Sequence, residues 1–168
     1  MNTKVELVDL VDASGKIQKS GIPRSEVELY PDLHMQIVIG VFLNKEGLLL
    51  VHQRAKTKKV NPGDIDHVCG GIISNETPIE AVIRESLEET GVKPINLKIV
   101  SQGINKYDRY RYLIVGKSNE EPNQIDPTET EWAKFIQLDE LKEKQQLGEL
   151  TFVDEFFEET ELALKNRI

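Results

Sequence analysis

Between Gly70 and Val92 the spacing of acids and glycines constrains the fold of this chain more than any other feature. Thr77-Pro78-Ile79-Glu80 carries the signals of a helix start: a capping hydroxyl, a proline where a missing N–H costs nothing, and a glutamate placed to complete a capping box. Gly91 can take the left-handed conformation that ends the helix. The spacing therefore predicts a helix over 78–90. At about 100° per residue, Glu85, Glu88 and Glu89 fall within roughly one third of its circumference. Ile79, Ile83 and Leu87 are expected on the opposite, core-facing side. Three carboxylates in one patch suit a hard divalent cation, Mg2+ first and Mn2+ as a substitute. Arg84 stands one turn before Glu88 and can pair with it or with Glu76, offsetting repulsion among the acids.

A run of glutamates on an amphipathic helix is more often a solvated face, because acids are good helix formers. What separates this stretch from that reading is the register of both glycine ends, Arg84 and the isolated Glu76. The whole chain also fits a catalytic domain. At 168 residues it is long enough to bury one core, so positions 1–168 read as a single domain. A net charge of -8 argues against a nucleic-acid surface, which needs a basic stripe. An acidic protein can still hold a small diphosphate if a metal ion supplies local countercharge. No apolar run is long enough to span a bilayer, and the alternating charged and aliphatic residues of Met1 to Ser14 are no signal peptide. The single cysteine, Cys69, excludes an internal disulfide framework and suits a reducing cytoplasm. A homodimer is compatible with this composition.

The pattern from Gly70 to Val92 resembles the Nudix box of the Nudix hydrolases, with Gly70, Glu76, Arg84, Glu85, Glu88, Glu89 and Gly91 all in register. The departure is Ser86, where an aliphatic residue or alanine is usual; we read it as a packing variant on the core side. The resemblance implies that Glu85, Glu88, Glu89 and a carbonyl of the Gly70-Gly71 pair hold Mg2+, with Glu76 and Arg84 in support. It also implies an α+β fold in which a mixed sheet lies between helices, an α/β/α sandwich.

The rest of the chain agrees. Lys4 to Val11 and Lys16 to Ile22 form an expected hairpin within an amino-terminal extension, 1–30. Met35 to Leu43 reads as a buried strand and Leu48 to Gln53 as its return, followed by a loop from Arg54 to Asp66. Strands are expected over Leu97 to Gln102, Tyr110 to Gly116 and Trp132 to Ile136, with a polar loop from Ser118 to Thr128. Leu138 to Glu143 and Phe152 to Lys165 read as closing helices.

Just before the box, His52 to Lys58, Pro62-Gly63, Asp66 and Cys69-Gly70-Gly71 look like the Nudix branch related to isopentenyl diphosphate isomerase. Cys69 and His34 stand near places where the isomerases carry a catalytic cysteine and a metal-binding histidine. Gly71 stands where an isomerase wants histidine, and Glu26, Val27 and Glu28 where it wants another. A hydrolase on an isomerase-like framework is the better reading. Cys69 reads as a small buried hydrophobe, and His52 and His67 as structural or substrate-proximal residues. Arg54, Lys58 and Gly71 are the candidates for substrate contact, and Glu131, with Glu129 behind it, resembles the late acid some Nudix enzymes use as a base. The implied activity is Mg2+-dependent cleavage of a phosphoanhydride in a nucleoside diphosphate linked to another group, or a related small diphosphate. Two alternatives stand beside it: an isomerase-like enzyme and a non-catalytic Nudix module that only binds its ligand.

Overall fold

The computed structural model describes residues 5–123 and 125–166. A hairpin of β1 (Leu7–Val11) and β2 (Ile17–Pro23) leads through a 3-10 helix, Arg24–Leu29, into β3 (His34–Leu43) and back along β4 (Leu49–Arg54). Two short strands, β5 (Ile65–Asp66) and β6 (Val68–Gly71), precede α1 (Pro78–Thr90). Then come β7 (Ile95–Ile104), β8 (Tyr110–Lys117) and β9 (Thr130–Ile136), and the chain closes with α2 (Leu138–Gln146) and α3 (Phe156–Lys165).

β3 is the axis. It pairs in parallel with β8 from Gln36↔Tyr110 to Leu43↔Lys117, antiparallel with β6 from Ile37↔Gly71 to Gly40↔Val68, and touches β1 at Leu10↔Met35. Parallel neighbours need a long crossover, and here that connection carries α1 and β7. β4 pairs with β9 on one side and β5 on the other. The two-residue period of a strand separates the cores. Val38 and Phe42 of β3, Leu50 of β4, and Tyr110, Tyr112 and Ile114 of β8 pack with Ala81 and Val82 of α1. Val41, Leu49, Val51 and Leu113 pack instead with Leu141 of α2 and Phe156 and Ala163 of α3. A mixed sheet with helices on both faces is the expected arrangement. The carboxylate of Asp9 joins the hairpin to the box, accepting from Gly21 N at 2.9 Å, Asn75 N at 3.2 Å and the Ser74 hydroxyl. Burial opposes its ionisation, yet these donors outweigh burial and hold its pKa below the ordinary value.

Three expectations are corrected. The buried face of α1 is Ala81, Val82, Ser86, Glu89 and Thr90; Leu87 is 44% exposed, not a core residue. The helix rolls this way because Glu89 turns inward to the backbone of β6. Part of the loop expected from Arg54 to Asp66, and the segment after it, are strands β5 and β6. The last helix begins at Phe156, because Phe152 is bridged to Ile65 in an extended conformation. The start of the expected hairpin strand, at Lys4, lies outside the described residues.

Candidate active site

The box helix is fixed at both ends as its sequence dictates. Thr77 Oγ1 accepts from Glu80 N at 3.2 Å while Glu80 Oε2 accepts from Thr77 N at 2.8 Å, and Gly91 closes the helix with φ 69°. Ser86 is fully buried and donates its hydroxyl to Val92 O at 2.8 Å, so the departure from the usual box residue is a packing variant with its own hydrogen bond.

Arg84 organises the acids. Its Nε and Nη2 donate to the two oxygens of Glu76 at 2.8 and 2.9 Å, Nη2 also reaches Gly71 O at 2.8 Å, and Nη1 donates to Glu85 Oε1 at 2.6 Å. Glu88 is only 3.5 Å from Nη1 and remains 56% exposed. The planar fork of Arg84 thus ties Glu76 and the glycine loop to the helix.

Gly70 is required by Glu85. A Cβ on residue 70 would lie 2.0 Å from Glu85 Cδ, so any side chain there would drive the carboxylate away. Gly70→Ala is therefore expected to leave the overall fold recognisable, to cost about 1–3 kcal/mol in stability, and to weaken Mg2+ binding measured by titration calorimetry. Unchanged metal affinity in that variant would remove Glu85 from the ligand set.

Glu89 is 6% exposed, and its Oε2 accepts from Cys69 N at 3.0 Å. Burial pushes its pKa well up, with Asp66 and Glu85 adding repulsion. Burial likewise raises Glu85 to about 7, with Arg84 opposing. The nearby His52, 3.9 Å from Glu89, is held down to about 3 by burial and by Arg54, so it is neutral and this contact is not an ion pair. Among the described residues no group of three His, Cys, Asp or Glu side chains stands ready as a metal cage. The reason is local: Arg84 occupies Glu85, an amide occupies Glu89, and Glu88 is half exposed and held only loosely by Arg84. The donor set nevertheless fits a hard cation: three carboxylates stand on one helix, and burial and crowding raise the pKa of Glu85 and Glu89, a penalty that positive charge would relieve.

These groups face one polar cavity of about 590 Å³. Glu85, Glu88 and Glu89 line it from α1, and Cys69, Gly70 and Gly71 from β6. Arg54 and Lys58 line it too, so the three candidate substrate contacts, Arg54, Lys58 and Gly71, share a cavity with the acids. Arg54 Nη1 is held by Asp66 Oδ2 at 3.1 Å, and Lys58 pairs with Glu129. Glu131 is placed elsewhere: its carboxylate accepts from Lys56 N at 2.9 Å and does not line the cavity, whereas Glu129 does. A register shift in the β4–β9 pairing, between Gln53 and Arg54, falls at this point, and no sequence signal marks it. His34 lies at the start of β3, 3.0 Å from Asp108, outside the cavity lining. Sequence reasoning missed Glu6 and Arg24. The amino-terminal segment carries both to the cavity, Arg24 Nη1 donating to Glu6 Oε1 at 2.7 Å and lying near Gly71. Arg24 lies beyond any local motif, and only the hairpin's docking reveals it.

A NUDIX domain model matches residues 33–162, most of the chain. The isopentenyl-diphosphate Delta-isomerase of Corynebacterium diphtheriae is 35% identical over 101 residues, 57% of this chain and 54% of that protein. The isomerase of the same name from Streptomyces coelicolor is 29% identical over 150 residues, 82% of this chain and 74% of that one. The chain thus spans only about half of the first relative's length. Among solved structures, DR0079 from Deinococcus radiodurans superposes with a TM-score of 0.70 at 21% identity, covering 97% of this chain and 100% of that chain, a likeness of fold. The matched segment contains the whole of β3 to β9 and the acid-bearing helix between them, and on that ground the chain belongs to the Nudix family.

Proposed function

We propose that this protein hydrolyses a phosphoanhydride bond in a nucleoside diphosphate linked to another group, or in a related small diphosphate, with Mg2+ as cofactor. One observation carries the reading: acids Glu85, Glu88 and Glu89 and cations Arg24, Arg54 and Lys58 line the same cavity. A diphosphate needs both, cations for its own charge and acids for the metal that accompanies it. Mg2+ held by Glu85, Glu88, Glu89 and the Gly70 carbonyl would supply positive charge to the phosphate oxygens and acidify a bound water.

The chain's own residues do the rest. Gly71, without a side chain, lets backbone and phosphate approach. Arg54, fixed by Asp66, presents an oriented fork, while Lys58 and Arg24 exchange Glu129 and Glu6 for phosphate oxygens. Once Lys58 turns to phosphate, Glu129 is released to accept a proton, the part expected of Glu131. Residues 1–168 act in this scheme as one catalytic unit, the 3-10 helix after the hairpin contributing Arg24.

Release of phosphate or a monophosphate from a panel of diphosphate compounds, with Mg2+ and with EDTA, tests the reading. A blank panel accompanied by ordinary ligand binding would favour a Nudix module that binds without cleaving.

The isomerase relatives and the placement of Cys69 on the cavity wall favour a second reading, in which the thiol does the chemistry. Burial, with Asp66 and Glu89, pushes the Cys69 pKa well up, so it stays a thiol. Cys69→Ala is expected to retain Mg2+-dependent hydrolysis within a few fold. Interconversion of isopentenyl and dimethylallyl diphosphates by the native protein, lost in the alanine variant, would replace the hydrolase reading.

A further inference from the structure

We propose that Asp9 is a positioning residue for the metal acids: it fixes the turn from Ile73 to Glu76, the turn aims Glu76, and Glu76 holds the arginine that holds Glu85. The inference rests on the reading that the box acids bind Mg2+, and it reaches beyond that reading to a residue far outside the box.

Aspartate is a poor strand residue, and a buried carboxylate is costly unless it is hydrogen-bonded. Asp9 nevertheless stands in the middle of β1, 6% exposed, between the core residues Val8 and Leu10. Its Oδ1 accepts from Gly21 N and from the Ser74 hydroxyl, and its Oδ2 from Asn75 N. Were Asp9 only a fastening within the hairpin, Gly21 would suffice. The other two donors both belong to the turn that bears Glu76.

Ser74 and Asn75 are the central residues of that turn, which Glu76 N closes on Ile73 O at 3.1 Å. Both are held to β1, because Ser74 N also donates to Leu7 O at 2.8 Å. Asn75 has φ 66°, a left-handed conformation in which a side chain is strained, and Asp9 binds the amide of that same residue.

What the turn delivers is Glu76. Its Oε2 accepts from Ile73 N at 3.1 Å, which folds the side chain back over the turn, and its two oxygens receive the fork of Arg84. Arg84 carries the hold on to Glu85 Oε1 and to Gly71 O. A chain of hydrogen bonds thus runs from β1 to a carboxylate of the metal site, with Asp9 at its far end. Groups that orient a metal ligand from behind set its affinity without touching the ion.

The test compares three variants of the full chain. Asp9→Ala removes the anchor, and Ser74→Ala removes one of its links while leaving β1 and its core intact, so it reads the same connection where Asp9→Ala does not fold. Val8→Ala is the control, taking buried volume from the same strand without touching the turn. Hydrogen exchange in EDTA, where no metal enters, follows the Ile73 amide relative to the slowest core amides of the same protein. Calorimetric titration with Mg2+ alone follows the site. Asp9→Ala and Ser74→Ala are expected to speed relative exchange at Ile73 and to weaken Mg2+ binding at least about fivefold, whereas Val8→Ala changes that affinity by less than about twofold. Unchanged exchange at Ile73 or unchanged Mg2+ affinity in Asp9→Ala and Ser74→Ala alike would overturn the proposal, and so would an equal loss of affinity in Val8→Ala. A native protein that takes up no Mg2+ defeats the metal reading, and this inference falls with it. Normal uptake by the native protein with unchanged affinity in the variants defeats this inference alone.

Discussion

Glu88→Gln and Glu89→Gln are each expected to lower turnover by about 10²- to 10³-fold while the fold survives. The size of the effect follows from what each change removes. Glutamine keeps the volume and one acceptor oxygen but deletes a charge directed at the metal, and a preorganised electrostatic group lost from a polar cavity cannot be replaced by solvent. The two variants differ in what else they disturb. Glu88 is largely exposed and only loosely paired with Arg84, so its replacement should leave the melting midpoint within a degree or two. Glu89 is buried against Cys69 N, and glutamine can keep that hydrogen bond through its own oxygen. Kinetics with the cleaved substrate at saturating Mg2+, beside circular dichroism of both variants, checks the expectation. Near-normal kcat in both would mean that the box acids are not the catalytic centre.

The box was legible because its determinants are local. Thr77, Pro78, Glu80 and Gly91 specify the helix within its own sequence, and the acids follow from its period. The central strand was legible for the same reason, as an unbroken apolar run. What escaped were facts of tertiary placement. Leu87 falls outside the core because Glu89 is drawn to the β6 backbone, a contact between residues twenty apart. Glu129 rather than Glu131 faces the cavity because the β4–β9 register shifts beside it. Arg24 reaches the cavity from the 3-10 helix that follows the hairpin, which is docked by the β1–β3 pairing and by Asp9 on Ser74 and Asn75. Glu159 and Arg111 meet through the docking of α3 on β8, which no window of sequence contains.

Mg2+ is expected to raise the melting midpoint of the native protein by several degrees, and to raise it more at pH 8 than at pH 5.5. Glu85 and Glu89 have folded pKa values above the ordinary 4.5, about 7 for Glu85, because burial and crowding disfavour their charge. From about pH 4.5 upward the unfolded chain therefore releases protons that the native state keeps. The unfolded state binds fewer protons, so these acids make stability fall as pH rises, until the folded pKa of each is passed. The penalty is absent below pH 4.5 and, for Glu85, fully present above about pH 7. A cation bound by the ionised carboxylates offsets it, and protons compete with that cation at low pH. At about 100-fold excess over its dissociation constant, an ion bound only by the native state adds about 2.7 kcal/mol, roughly 5 to 10 °C in a domain of this size. In the Glu85→Gln/Glu88→Gln/Glu89→Gln variant the Mg2+ shift should vanish at both pH values. Arg84 loses two partners there but keeps its two-pronged hold on Glu76, so in EDTA at pH 8 the variant should be at least as stable as the native protein. Thermal unfolding of both proteins, with EDTA and with millimolar Mg2+ at fixed ionic strength, decides the matter. An equal Mg2+ shift in the two would place the metal elsewhere, and a variant far weaker than native in EDTA would make these glutamates structural partners and not metal ligands.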